Sequence, residues 1–418
     1  MMPIRPAWEG LRESLFFLPP FPAQLDPLAL SALMLIGGLL IGEALFRRLG
    51  VSRLVGYVLA GALAGPGFLG WLDPASVAVA KPIADVALGL LLLETGRYLD
   101  LGWLRANPGL LTTALAESGL AFATLFAFAY FAGGLSPAWS AATAAITMAS
   151  APAVVLLIAQ ENRAEGQITQ RTQLLTALSC ALSFVVFTAV LGGIYAERSG
   201  DWLNAVAHPL WVVCGSVGIG MLGARLALTM AALQAKGSAA QVFILVASAL
   251  LATGVARMLA VPVFLCLFMM GAALNLADRD KVLAYAGLPQ GHWLLAIVLF
   301  VVTGAMLPLH ELSWTLGLQA LGLVLVRGLA KFAGVLASGR RDLPPGRRAL
   351  VGLGIQPLSA TAIVMAAELI AIFPEVGAQA LLLPLLAAAL MEFVGPQLCR
   401  LALKRDGETA PSPAGHAR

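Results

Sequence analysis

Charged residues are the scarcest feature of this 418-residue sequence: Asp, Glu, Lys and Arg make up only 11% of it, against about 25% in a typical soluble domain. Hydrophobic residues make up 60%, and the mean hydropathy is +0.88. A soluble protein of this size needs more charge on its surface, so these values exclude soluble enzymes, nucleic-acid-binding proteins and disordered chains. Apolar stretches of about 20 residues recur along the chain, which predicts an all-α polytopic membrane protein.

Cysteine is also scarce, and its pattern excludes two kinds of site. The four cysteines lie in apolar stretches, with no CxxC and no Cys/His cluster. The sequence therefore predicts no disulfide, no metal site and no cofactor. No connection between apolar stretches is long enough for a folded domain, so we expect no nucleotide-binding domain and no enzymatic activity.

The apolar stretches define about 13 candidate transmembrane helices. They lie at 28–46, 54–72, 83–99, 109–131, 139–160, 174–195, 209–230, 239–259, 261–276, 292–309, 314–337, 349–373 and 379–403. We expect a membrane domain at 28–403, preceded by an extracytoplasmic segment (1–27) and followed by a cytoplasmic tail (404–418).

Basic residues are distributed unequally between the two sides of this arrangement. One side receives only Arg5, Arg12, Lys81, Arg198 and Arg257, whereas most of the other Lys and Arg residues near span ends fall on the opposite side. Because cytoplasmic loops are enriched in Lys and Arg, the bias predicts an N-terminus outside and a C-terminus in the cytoplasm of a bacterial-type inner membrane.

Two candidate spans carry a helix breaker near their centre, Pro152 in the fifth and Pro357 in the twelfth. Proline removes a backbone donor and disfavours helix in the preceding residue. Division of the chain into a first repeat (28–195), a linker helix (209–230) and a second repeat (239–403) places each break in the fifth span of its half. We therefore expect two inverted six-helix repeats whose discontinuous helices cross at mid-membrane, as in secondary transporters.

Several segments carry a resemblance to a known family. They are LFRRLGVSRLVGYVLAGALAGPGFLG (45–70), IADVALGLLLLETGRYLDLGWLR (83–105), SAPAVVLLIAQ (150–160), EGQITQRTQLLTALS (165–179), GLAKFAGVLASG (328–339) and LVGLGIQPLSATAIV (350–364). In order and spacing they resemble the monovalent cation:proton antiporters, the sodium/proton exchanger-like membrane domain. The resemblance implies a panel of helices that forms a homodimer and a six-helix core that moves against it.

The sequence departs from that family at the ion site. Members usually carry one or two acidic residues in the sixth span, but the matching positions here are Ser179, Cys180 and Ala181. We therefore expect a transport site of backbone and hydroxyl groups at the crossing. Its candidate residues are Thr147, Ser150, Pro152, Thr176, Ser179, Cys180, Pro357, Ser359 and Thr361.

Ionisable residues inside candidate spans supply the remaining candidates, because such residues are costly in a membrane. Glu94 and Glu117 are proton-linked candidates, since two carboxyl groups near one another favour retention of a proton; alternatively, a basic residue neutralises Glu117. Glu94 and Arg97 are three residues apart and can form an ion pair.

The second half of the chain holds charges at similar depth. For Arg327 and Glu392 a salt bridge is one interpretation, and a fixed charge of Arg327 at the transport site is the other. Lys331 lies four residues from Arg327 on the same span.

Three functions fit these features. The first is antiport of Na⁺ or K⁺ against protons by alternating access, with Glu94 or Glu117 as the proton-linked group. The second is transport of an anionic or neutral solute on the same scaffold, and the third is a membrane sensor or scaffold that does not transport. The lipid bilayer is the expected surroundings in each case.

Overall fold

The fold is all-helical throughout the part of the chain that the computed structural model describes, which comprises residues 27–71, 74–97, 99, 101–200, 202–236, 238–278, 283, 291–307, 313–338, 343–358, 360–373 and 379–409. The first eight helices are α1 (Pro27–Leu49), α2 (Arg53–Ala64), α3 (Pro74–Arg97), α4 (Leu101–Ala106), α5 (Gly109–Phe131), α6 (Pro137–Thr147), α7 (Pro152–Glu161) and α8 (Gln167–Ser199). The second eight are α9 (Trp202–Ala231), α10 (Ala239–Met258), α11 (Val263–Ala277), α12 (Gly291–Ala305), α13 (Trp314–Ser338), α14 (Pro345–Gly354), α15 (Ala360–Ile372) and α16 (Gln379–Arg405).

These helices overlap every candidate span, which confirms a polytopic membrane protein. Seven helical segments of the described chain are long and apolar enough to cross a membrane by themselves, whereas α2, α11 and the apolar part of α12 are shorter apolar helices. The number of spans and the inverted repeats stay predictions. The N-terminal segment lies almost wholly outside the described residues, and so does most of the tail.

The helices pack into two groups. The first group contains α1–α3 and α9–α12, and the second contains α5–α8 and α13–α16. Close contact inside the first group depends on Gly61 of α2, because a side chain there would collide with the main chain of Val301 in α12. The principal contact between the groups runs along α8 and α9.

Both proline-containing spans are interrupted, as predicted. α6 ends at Thr147 and α7 begins at Pro152, with Ala151 between them in an extended conformation. α14 ends at Gly354 and α15 begins at Ala360. Pro152 occupies the first position of its helix, where its missing N–H costs no hydrogen bond. The sequence therefore terminates one helix and starts the next at each break.

The two breaks also meet, which confirms the predicted crossing. The amide N of Ala151 donates to the carbonyl O of Pro357 at 2.8 Å, and Ser150 Oγ donates to the carbonyl O of Ile355 at 2.8 Å. In the interior of a membrane protein, backbone groups freed by a helix break need such partners. Residues from the two halves of the chain therefore satisfy each other at one place.

One end of the helix bundle carries most of the basic connections, and we call it the basic end. α1, α7, α13 and α16 finish there, and α2, α5, α8 and α14 begin there. This is the end that the sequence predicts to face the cytoplasm.

Candidate functional site

The helix crossing is held by one buried arginine. Arg327 of α13 is fully buried. Its guanidinium donates to the carbonyl oxygens of Thr147 at 2.7 Å, Ala149 at 2.5 Å and Gln356 at 2.7 Å. These carbonyls belong to both breaks, and the C-terminal ends of α6 and α14 carry partial negative charge there. Arg327 therefore neutralises both helix ends.

This geometry corrects one interpretation of the sequence. The expected Arg327–Glu392 salt bridge is wrong, because the described hydrogen bonds of all three guanidinium nitrogens go to the crossing. The guanidinium lies at the crossing instead, and its role as the fixed charge of a transport site stays a prediction. The backbone groups of the expected transport site are partly occupied, since the guanidinium binds three of the carbonyls at the crossing.

The predicted hydroxyl residues that the structure describes are buried, and most of their hydroxyl groups donate to nearby carbonyl oxygens. Thr147 and Thr176 donate to carbonyl oxygens one turn earlier in their own helices, and Ser150 donates across the crossing. Thr361 is buried, and its hydroxyl has no hydrogen-bond partner among the described residues. Ser359 lies outside the described residues. Pro152 and Pro357 lie at the crossing, whereas Cys180 is a buried neighbour of Ser179.

A second buried charge cluster lies beside the crossing, between α5, α8 and α13. The Nζ atom of Lys331 lies 2.6 Å from Glu117 Oε2 and 2.8 Å from Ser179 Oγ. Ser118 Oγ donates to Glu117 Oε1 at 2.9 Å. Both charged side chains are 0% exposed. We call Glu117, Lys331, Ser118 and Ser179 the buried pair cluster.

Gly334 makes this close approach of α5 and α13 possible. A Cβ atom at this position would collide with the backbone of Glu117. Gly334 follows Lys331 by three residues, so both face the same neighbour. The spacing therefore brings the ammonium group to the carboxylate without a gap between the two helices.

Lys331 and Glu117 thus form the ion pair that sequence reasoning left without a named partner. Glu117 lies eight residues from the start of α5, and Lys331 lies seven residues from the end of α13. Both helices have these ends at the basic end, so the two charges share the same depth. Equal depth and opposite sign were the available signal, but they do not identify neighbours. The contribution of Ser118 had no signal in the sequence.

The other predicted charge pair is present. Arg97 Nη1 lies 3.1 Å from Glu94 Oε2 within α3, and its Nη2 donates to the carbonyl O of Leu283. Glu94 belongs to the first helix group, whereas the Glu117 carboxylate faces Lys331 in the second. The expected approach of the two carboxylates is therefore replaced by two separate ion pairs.

A further polar contact joins the two groups at the basic end. The Glu161 side chain, at the end of α7, accepts hydrogen bonds from Ser52 Oγ at 2.8 Å and from the backbone N of Arg53 at 3.1 Å. Arg53 Nη1 lies 3.3 Å from the same carboxylate, which is 0% exposed. Any movement of one group past the other has to break this contact.

The segment after α16 also folds back onto the second group. Glu408 accepts hydrogen bonds from the backbone N of Ile168 and Thr169 and thereby caps α8. Asp406 Oδ1 lies 3.1 Å from Arg347 Nε. Burial raises the pKa of Asp406 above its ordinary value, and although Arg347 opposes this effect, Glu408 adds to it.

Comparison with known proteins identifies relatives of this chain. Residues 32–395 match the family model described as the transmembrane sodium/hydrogen exchanger. YbaL of Escherichia coli (strain K12), a provisionally named cation/proton antiporter, is 30% identical over 290 residues, which cover 65% of this chain and 50% of YbaL. The chain thus spans about half the length of that relative.

Solved structures share the fold. The sodium proton antiporter MjNhaP1 from Methanocaldococcus jannaschii at pH 8 superposes with a TM-score of 0.67 at 17% identity, covering 90% of this chain and 95% of that one. An electron-microscopy structure of the same antiporter gives a TM-score of 0.71 at 18% identity, with 91% and 98% coverage.

Proposed function

Because the chain belongs to the sodium/hydrogen exchanger family, we propose that it is a membrane antiporter that exchanges a monovalent cation, Na⁺ or K⁺, for protons by alternating access. The observation that carries the proposal is the buried pair cluster. It places a carboxylate and an ammonium group next to the crossing of two interrupted helices. Family membership also supports a transporter rather than an enzyme.

The cluster contains the groups that an exchange of a cation for a proton needs. Oxygen atoms of Glu117 and Ser179 already hold the positively charged Nζ of Lys331, and Ser118 lies beside them. Oxygen ligands of this kind also suit a hard metal cation. An alkali cation that binds here replaces Lys331 as the partner of the Glu117 carboxylate. Lys331 then releases its proton, and the neutral amine moves away from Glu117.

The charge balance of this step predicts the stoichiometry. With Lys331 protonated and Glu117 ionised, the pair is neutral. With a monovalent cation on Glu117 and Lys331 neutral, the cluster is again neutral. One cation is therefore exchanged for one proton, and we expect transport to be electroneutral.

Other parts of the proposal rest on the sequence. Glu117 takes the place of the acidic residues that the sixth span lacks, and it is linked to the proton through Lys331, which it holds in the protonated form. The N-terminus is outside, the C-terminus is cytoplasmic, and the protein forms a homodimer in a bacterial-type inner membrane. The first helix group is the dimerising panel, and the second is the moving core.

Proteoliposomes with an internal pH dye test the activity. Addition of Na⁺ or K⁺ dissipates an imposed pH gradient, and a K⁺/valinomycin clamp leaves the rate unchanged. Glu117→Gln lowers the rate at least about tenfold, because removal of a catalytic-type carboxylate typically costs that much or more. Glu197→Gln, which removes an exposed carboxylate from α8, leaves the rate intact. Absence of cation-dependent dissipation at every pH between about 6 and 9 would falsify the proposal.

An anionic substrate is the second candidate, since Arg327 and Lys331 place two buried cationic groups near the crossing. The same vesicles distinguish it. Dissipation that depends on the added anion, and not on the added cation, favours this second candidate.

A further inference from the structure

A cavity opens at the basic end between α5, α8, α13 and α14. It contains about 270 Å³ of space between the atoms, including the part open to solvent. Its apolar wall includes Leu175, Val335 and Val351, and Arg171 and Arg348 contribute the charge. No acidic side chain is among the described residues that line it.

The cavity lies directly over the buried pair cluster. Thr113 precedes Glu117 by four residues on α5, and Leu175 precedes Ser179 by four on α8. Residues four apart share one helix face and are separated by about 6 Å along the axis. On α13 the same spacing relates Val335 to Lys331. Three helices therefore place the cavity one turn closer to the basic end than the cluster.

The positive groups of the cavity are held in place. Arg171 is a buried side chain, and its guanidinium lies 5.5 Å from the ring centroid of Trp103. Arg348 Nη1 donates to the carbonyl O of Leu336, whereas its Nε is buried without an acceptor among the described residues. Buried donors of this kind normally have a partner. The cavity thus offers a fixed donor that an anionic oxygen would satisfy.

The N-terminal ends of two helices add to the positive electrostatic potential in the cavity. The cavity is lined by first-turn residues of α5 and α14, so the positive ends of two helix dipoles lie beside it. Such ends favour anions, most of all together with a guanidinium group.

We propose that this cavity binds a small oxyanion, and specifically the phosphate group, either as free inorganic phosphate or as the headgroup of an anionic lipid. The proposal does not depend on the transport activity. The charges of Arg171 and Arg348 favour an anion over a metal cation in the cavity.

The position above Lys331 couples this site to the buried pair. Glu117→Gln leaves the charge of Lys331 unbalanced one turn below, and phosphate then binds several-fold more tightly. Lys331→Met has the opposite effect. By linkage, phosphate in turn favours the form of the pair that carries an additional proton.

Equilibrium dialysis of the purified full chain in detergent against radiolabelled inorganic phosphate tests the site, with ionic strength held constant by chloride. The expected result is saturable binding of one phosphate per chain. Arg348→Gln weakens it at least about tenfold, as expected for loss of a charged hydrogen bond. Arg347→Gln is the matched control, since this exposed neighbour loses the same charge but does not line the cavity.

Val351→Phe provides a second variant that fills the cavity without any change of charge, and it also abolishes binding. A lipid source is distinguished in nanodiscs, where phosphatidylglycerol competes with inorganic phosphate and phosphatidylcholine does not. Without competition, the ligand is free phosphate.

The proposal is overturned by non-saturable binding, or by equal losses in Arg347→Gln and Arg348→Gln. If Glu117→Gln and Lys331→Met leave the affinity unchanged while Arg348→Gln lowers it, the site stands and its coupling to the pair is refuted. None of these results bears on antiport, which the vesicle assay measures separately.

Discussion

Removal of either member of the Lys331–Glu117 pair leaves its partner as an uncompensated charge in a fully buried place. In Glu117→Gln the ammonium group keeps, among the described residues, Ser179 and the new amide as partners. In Lys331→Met the carboxylate keeps Ser118 as its hydrogen-bond donor within the described part of the chain. The combined variant removes both charges and leaves no ion to be solvated.

The size of the effect follows from this burial. Both side chains are 0% exposed and their charged atoms lie 2.6 Å apart. Loss of one partner of such a pair costs about 3 to 5 kcal/mol, whereas replacement of both by uncharged groups is often close to neutral. We therefore expect each single variant to lose about 3 kcal/mol or more of unfolding free energy, and the combined variant to lose less than either.

A double-mutant cycle measured by reversible unfolding in mixed detergent and SDS micelles tests this expectation. Glu197→Gln serves as the control for loss of an exposed carboxylate from the same helix group. If the two single losses simply add in the combined variant, the residues do not interact and the described pair is wrong. The vesicle transport assay distinguishes the structural role of the pair from its role in transport, because we expect the combined variant to regain stability but to remain inactive.

Three further variants test other contacts. Gly334→Ala destabilises the protein and lowers transport because its methyl group displaces Glu117, whereas Gly328→Ala on the same helix has room and gains up to about 1 kcal/mol in unfolding experiments. Arg327→Lys lowers the unfolding free energy by about 3 kcal/mol or more, because a single ammonium group cannot contact all three carbonyl oxygens that the planar guanidinium reaches. An unchanged midpoint of the unfolding transition contradicts the assigned contacts. For Asp406, the raised folded-state pKa means that its contribution to stability is complete below the unfolded pKa of about 4 and is lost as the pH rises through the folded value. Asp406→Asn therefore becomes more stable relative to the wild type as the pH rises in thermal unfolding, and a difference that is the same at every pH refutes the shift.

The interrupted helices were predictable because their cause is local. Pro152 and Pro357 each disfavour helix at the preceding residue, and their equivalent places in the two halves indicated that the breaks cross. The Glu94–Arg97 pair was predictable for the same reason, since a spacing of three residues fixes neighbours on one helix.

The buried pair was not predictable, because its partners are far apart in the sequence. Glu117 and Lys331 are separated by 214 residues, and their contact depends on how α5 and α13 rotate and pack. Arg327 was assigned to Glu392 for the same reason: depth alone could not distinguish a carboxylate from the carbonyl groups of a helix break. A hydrogen bond to a main-chain carbonyl oxygen cannot be predicted from the pattern of side chains in a sequence.

The hydrogen bond from Ala151 to Pro357 has a consequence for biosynthesis. The first break leaves the ribosome 206 residues before its partner, and at about 5 to 20 residues per second this corresponds to a wait of roughly 10 to 40 s. During that time the nascent first half holds polar backbone inside or beside the bilayer without the second half to satisfy it. The cell's insertion machinery must shelter that half until translation is nearly finished, and a chain cut between the halves should assemble only when both pieces are made together.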